Sequence, residues 1–206
     1  MSEIIKGKVE VHLGRDKDGD FRHEYHGLDF LYNDGGREKA GYKGSTGDCV
    51  TRAICIASGL PYQKVYDDLY NLSKEWRLNS NSKHAKVAKP QNDSPRTGVC
   101  RNVYDPYIKS LGFVWVPTMK IGSGCKVHLR KDEIPYSGKL IVRVSKHITS
   151  VIGGVINDTY DCSRGATRCV YGYYINDLTY TWGFNRLKII NQINILAEYP
   201  TSWDSA

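Results

Sequence analysis

Gly47-Asp48-Cys49-Val50-Thr51-Arg52-Ala53-Ile54-Cys55-Ile56-Ala57-Ser58-Gly59 is the stretch from which the fold is read. Val50, Ala53, Ile54 and Ala57 recur at i, i+3, i+4 and i+7, one apolar face of a helix over 49–58. Asp48 suits the N-cap, and Gly59 suits the left-handed residue that ends a helix. Cys49 therefore falls in the first turn. There, unused N–H groups and the positive end of the helix dipole favour a thiolate, the form that attacks a carbonyl carbon. On its own, a cysteine at a helix start is also a common small packing residue.

A partner for that cysteine comes from the second half of the chain. Residues 147–152 and 155–160 are two β-rich runs around Gly153-Gly154, a strong hairpin signal. If Ile152 pairs with Val155, Thr149 faces Asp158 and His147 faces Tyr160. His147 and Asp158 are then diagonal neighbours on one face, about 7–8 Å apart at the backbone and within side-chain reach. Asn157 points to the other face, and a slip of one residue would exchange the two. A cysteine activated by a histidine, itself oriented by a carboxylate, is the logic of nucleophilic catalysis. The expected catalytic set is Cys49, His147 and Asp158. The other histidines, His12, His23, His26, His84 and His128, sit in turn-rich or charged stretches and read as surface residues.

Around these motifs the chain reads as follows. Residues 8–13 alternate as a strand, and 21–25 return as a second one. Between them Asp16, Asp18 and Asp20 open like a calcium loop, but Phe21 stands where glycine is needed and Gly27 where glutamate is needed. A hairpin turn is the better reading. Residues 1–32 are taken as an N-terminal hairpin-like extension, and 33–206 as the main domain. Glycines at 35, 36, 41, 44 and 47 make a flexible approach to Cys49. Pro61 opens a second helix with Val65, Leu69 and Leu72 inward.

Periodicity then vanishes over 73–98, which reads as a long surface loop. From Lys74 to Arg96 it holds six basic and two acidic residues. A helix over 103–111 ending at Gly112, and strands over 113–116, 140–144 and 170–175, complete the pattern. Helices early and strands late give an α+β fold with an antiparallel sheet.

Composition limits the function classes. The 206 residues fit one domain, and no run approaches the ~20 apolar residues of a membrane span. Residues 1–8 hold no apolar stretch of signal-peptide length, so a cytoplasmic protein with no membrane partner is expected. The formal charge of +7 admits an anionic partner, and 15 tyrosines would suit base stacking or half-buried strands alike. Six cysteines show no C-x-x-C spacing, and no histidine lies near Cys162 and Cys169 in sequence. Most are expected to be reduced packing residues, with no cofactor and no metal.

Helix-borne cysteine, then strand-borne histidine, then an acid on the next strand is the order of papain-like cysteine peptidases. Residues 47–66, 115–129 and 140–173 are similar to a group of uncharacterised phage and bacterial proteins with that expected fold. The resemblance spans roughly residues 33–175. It implies a nucleophile-bearing N-terminal helix packed on a C-terminal antiparallel sheet. It also implies Cys49 as nucleophile, His147 as general base and acid, and Asp158 as orienter. Papain-like enzymes often place a glutamine about six residues before the nucleophile for the oxyanion hole, and here that position is Lys43. Thr46, Ser45 or the Cys49 backbone N–H are the substitutes.

Three further residues are candidates for the cleft. Asp48 precedes the nucleophile. Gly124 lies in the glycine-rich run 121–126, which lacks the Gly-Lys-Ser/Thr ending of a phosphate loop and reads as a cleft edge. Arg164 suits a carboxylate or phosphate in the cleft, and equally a solvated turn.

The function expected is a cysteine-nucleophile hydrolase or acyl-transfer enzyme on a peptide, isopeptide or other amide bond. It would act in a bacterial or phage-infected cell, as an effector on a host protein or peptide. The alternative is an inactive papain-like binding module for a host protein, or for nucleic acid through the basic stretch 74–96.

Overall fold

The computed structural model describes residues 3–7, 9–11, 24–44 and 46–176. Helices α1 (Cys49–Ser58), α2 (Tyr62–Asn79), α3 (Lys83–Val87) and α4 (Arg101–Ser110) fall between strands β1–β4 and β5–β9. The first four strands are Ile4–Ile5, Val9–Val11, Glu24–His26 and Asp29–Tyr32. The last five are Phe113–Pro117, Lys139–Val144, His147–Ile152, Val155–Asp158 and Val170–Asn176. The architecture is mixed α+β, with a seven-stranded sheet ordered β1-β4-β8-β7-β6-β9-β5. Among the described residues no helix is long and apolar enough to cross a membrane.

The sheet is not wholly antiparallel as expected. β4 runs parallel to β8, pairing Asp29 with Val155 and Tyr32 with Asp158. A parallel pair needs a long crossover, and all four helices and three strands lie in that connection. Consequently residues 4–5 and 29–32 belong to the main sheet, while β2 and β3 form a separate two-stranded ribbon. The expected turn through Asp16, Asp18, Asp20 and Phe21 lies outside the described residues, as do residues 177–206.

Both faces of the central strands are buried, which is why Leu140, Ile141 and Val142 of β6 are apolar in succession. Ile141 and Ile148 face the helices with Val50, Ala53, Ile54, Val65, Leu69, Ile108 and Tyr174. Leu140, Val142, Val144, Val151, Ile156 and Ile175 face the other way, under Leu28, Leu129 and Ile134. Burying side chains of this size stabilises by roughly 1.5–3 kcal/mol each. Gly59 ends α1 in the left-handed conformation at φ 79°.

The expected loop over 73–98 is instead built structure. α2 continues to Asn79 because Trp76 extends the stripe of Val65 and Leu69 onto the same core. Ser82 caps α3 by accepting from the Ala85 N–H at 3.2 Å. Pro90 and Pro95 open two 3-10 turns, Pro90–Asp93 and Pro95–Thr97. Arg77 then clamps Asp93 with two hydrogen bonds of 2.8 and 2.7 Å. Elements of three to five residues are too short to show a period, so pattern reading misses them.

Most cysteines are free, as expected (Cys49, Cys55, Cys100 and Cys162), but Cys125 and Cys169 are joined in a disulfide with Cα atoms 5.8 Å apart. The bridge follows from long-range pairing: His128 is bridged to Cys169, and the Val170 N–H donates to the Val127 carbonyl at 2.8 Å. Disulfides persist in oxidising compartments, and in a reducing cytoplasm the same two residues stand as neighbouring thiols.

Intact mass after maleimide treatment of the unfolded, unreduced chain will show labels on four cysteines, 49, 55, 100 and 162. After reduction all six will label. The bridge spans 44 residues, and its reduction will lower stability in urea titrations by roughly 2–4 kcal/mol.

Candidate active site

Asp48 has N-cap position, but its side chain makes no capping bond. It is wholly buried, and its carboxylate is held from three sides. Arg52 donates to Oδ1, the Tyr62 hydroxyl donates to Oδ2 at 2.7 Å, and Arg37 lies 3.6 Å from Oδ1. Asp48 therefore does not line a cleft, as had been expected, because every direction from its carboxylate is filled by protein.

The β7–β8 hairpin has the register read from the sequence: Ile152 pairs with Val155, Val151 with Ile156 and Ser150 with Asn157. That phase sends Asn157 to meet Asn33 Nδ2 at 3.2 Å and puts Asp158 with His147. His147 Nε2 lies 2.7 Å from Asp158 Oδ2. An ionised carboxylate only accepts, so Nε2 carries the proton in this contact. The second oxygen, Oδ1, accepts from Arg52 at 3.0 Å and from the Thr159 N–H at 2.7 Å. The Tyr160 ring lies 5.1 Å from the imidazole, centroid to centroid, and is half exposed. β4 braces the same strand from the other side, where the Asn33 N–H donates to the Asp158 carbonyl at 2.8 Å.

Cys49 opens α1 within electrostatic reach of the His147 imidazole, the Ile148 N–H and the Arg52 cation. Burial alone would raise its pKa. The hydrogen bond and charge of His147, the Ile148 N–H and the charge of Arg52 outweigh burial, and the thiol sits below its ordinary value. Cys55, also in α1 but buried without such donors, is pushed up to about 12. Burial would likewise discharge His147, but hydrogen bonds to Asp158, Cys162 and Cys49 hold its pKa far above the usual histidine range. Asp158 stays below the carboxylate range: burial opposes this, and His147, Arg52 and the Thr159 N–H prevail. The arrangement favours a thiolate–imidazolium pair backed by a carboxylate.

The remaining candidates are placed as follows. The Thr46 hydroxyl donates to the Arg96 carbonyl at 2.6 Å, so its proton is used away from Cys49. Ser45 lies outside the described residues. The Cys49 N–H, at the first position of α1, remains as an oxyanion donor. Arg164 is exposed, with φ 54°, in a turn closed by its own carbonyl accepting from Thr167. Gly124 is exposed beside the Cys125 bridge. Arg96 tethers the approach to Cys49 twice: its side chain donates to the Lys43 carbonyl at 2.8 Å, and its carbonyl accepts from the Gly47 N–H at 2.9 Å.

Sequence reading missed Arg52, Tyr62 and Cys162. Arg52 had a signal, since Asp48 and Arg52 form an i,i+4 charge pair that straddles Cys49. Cys162 had none: the fold brings it beside His147 from fifteen residues away, although no histidine is near it in sequence. His147, Asp158 and Cys162 offer a nitrogen, an oxygen and a sulfur within 4.8 Å of one another, the donor types of a zinc set. Here both carboxylate oxygens are already bonded to donors, and the Arg52 cation beside them opposes a dication. The cluster fits a proton relay better than a metal centre.

The shifts have a stability signature whose sign follows from proton counts. Above ~6.5, folded His147 holds a proton that the unfolded chain releases, so its contribution falls as pH rises. Between its lowered folded pKa and its unfolded one, Cys49 is the opposite case: folded thiolate, unfolded thiol, so its contribution rises there. The two slopes oppose each other in the wild type. In Cys49→Ala only the histidine slope remains, and unfolding free energy from urea titrations will fall between pH 6.5 and 8.5 by up to ~1.4 kcal/mol per pH unit. The wild type will stay flatter over the same window.

Comparison of the chain with protein-family models, with curated proteins and with solved structures gave no match.

Proposed function

We propose that this chain is a papain-like cysteine hydrolase or acyl-transfer enzyme acting on a peptide, isopeptide or other amide bond. The observation that carries the reading is the His147–Asp158 contact at 2.7 Å, with the imidazole on the side of Cys49 and holding that thiol's pKa below its ordinary value. Nε2 is committed to Asp158, so Nδ1 is the nitrogen that exchanges a proton with thiol and substrate. The Cys49 thiolate attacks the carbonyl carbon, and the oxyanion forms against the Cys49 N–H at the start of α1. The imidazolium gives its proton to the leaving amine as the C–N bond breaks, which leaves an acyl-enzyme. Water, or an acceptor amine, then attacks the thioester, His147 takes its proton, and the C–S bond breaks to release the product and restore the Cys49 thiolate. Tyr160, half exposed against the imidazole, forms a wall of the site. A protein or peptide substrate within a bacterial or phage-infected cell fits this chemistry.

Timed labelling with iodoacetamide at pH 6, read by intact mass and peptide mapping, tests the pair. Cys49 will label faster than the exposed Cys100, and His147→Ala will slow Cys49 by about 10²-fold or more. Cys49 labelling at the Cys100 rate, or unchanged by His147→Ala, overturns the reading.

A second reading is a nucleic-acid-binding module. What favours it is that Lys74, Lys83, His84, Lys86 and Lys89 are all exposed along one segment. It expects anisotropy of a fluorescent single strand to rise at low salt and to lose affinity steeply with added salt. No signal at low salt removes it.

A further inference from the structure

Resting on the reading of Cys49 and His147 as the reacting pair, we infer that Arg52 is a positioning residue, acting on that pair through Asp158. Arg52 sits on α1, one turn beyond Cys49, and its guanidinium crosses from the nucleophile's helix to the acid's strand. One terminal nitrogen donates to Asp158 Oδ1 at 3.0 Å, and the other donates to Asp48 Oδ1. All three residues are almost fully buried, with Asp48 0%, Arg52 4% and Asp158 2% exposed. Buried charges at these positions need partners, and the Arg52 guanidinium is shared between the two carboxylates.

The fork is itself fixed. Asp48, the residue next to the nucleophile, is anchored by Tyr62 from α2 at 2.7 Å and by Arg37. Arg52 can therefore swing away from Asp158 only by breaking the Asp48 contact as well. Its planar guanidinium occupies Oδ1 while His147 occupies Oδ2, so the carboxylate is oriented from both ends. Without Arg52, Oδ1 keeps only the Thr159 backbone N–H and its neighbouring hydroxyl at 3.5 Å. Asp158 would then protonate more readily, the imidazolium would lose its counter-charge, and Cys49 would hold its proton to higher pH. A lysine keeps the charge but cannot span both carboxylates in one plane.

The test is the pH profile of Cys49 alkylation by iodoacetamide, from pH 4 to 9, in the wild type, His147→Ala, Arg52→Gln and Arg52→Lys, with near-ultraviolet circular dichroism to score folded protein. The acid limb of the profile will move up by about one pH unit or more in Arg52→Gln. Arg52→Lys will lie between that variant and the wild type. A merely structural role would lower stability and leave the limb of the folded fraction where it was. Profiles of both Arg52 variants that superimpose on the wild type, while His147→Ala loses its low-pH reactivity, overturn the role of Arg52 and leave the catalytic pair standing. If Arg52→Gln does not fold, an unmoved limb in Arg52→Lys overturns it equally. If the wild type itself shows no His147-dependent reactivity, the catalytic reading fails, and the role of Arg52 with it.

Discussion

The carboxylate of Asp158 is the group on which the other charges of the site depend. It is buried, so it must be paired or take up a proton and lose its charge. His147 holds one oxygen, and Arg52 with the Thr159 N–H holds the other. Each partner in turn needs the carboxylate. Burial disfavours a charged imidazole, and only the bond to Asp158 and the neighbouring thiols reverse that. Burial also disfavours the Cys49 thiolate, and His147 is the main group that reverses it. The series continues the other way through Arg52 to Asp48 and Tyr62. Helix α1 and strand β8 are thus joined by alternating charges rather than by apolar packing alone.

The rest of the fold serves to keep that series in place. The acid strand is flanked on both sides: β7 carries His147 on one edge, and β4 pairs in parallel along the other. Strand β4 is therefore part of the support for Asp158. The approach to Cys49 is rich in glycine, and Tyr42 packs it against Tyr62 and Tyr66 of α2. It is fastened by Arg96, which bonds Lys43 and Gly47, and the Arg77–Asp93 clamp holds the segment from which Arg96 reaches. The basic stretch has a structural task at its end and exposed lysines along its middle.

Local signals were legible where one element carried them. The α1 stripe of Val50, Ala53, Ile54 and Ala57, its glycine stop, and the Gly153-Gly154 hairpin depend on neighbours within a few residues. The hairpin register also put Asp158, rather than Asn157, on the side of His147, because side chains alternate with a period of two. What stayed hidden came from contacts between distant segments. The parallel β4–β8 pair, the Cys125–Cys169 bridge and Cys162 beside His147 leave no periodic trace. The short turns over 83–97 were too brief to show one.

The sequence by itself determined which segments are helix or strand near the site and which cysteine, histidine and acid the backbone could present, since these follow from periodicity and turn chemistry. Only the tertiary structure decided what those groups meet. The N-cap candidate Asp48 turned inward because Arg52, Tyr62 and Arg37 outweigh one capping bond in a buried setting. Arg52 faced the acid because α1 packs across β7 and β8. Burial and pairing energies are properties of the assembled interior, and no window of residues along the chain contains them.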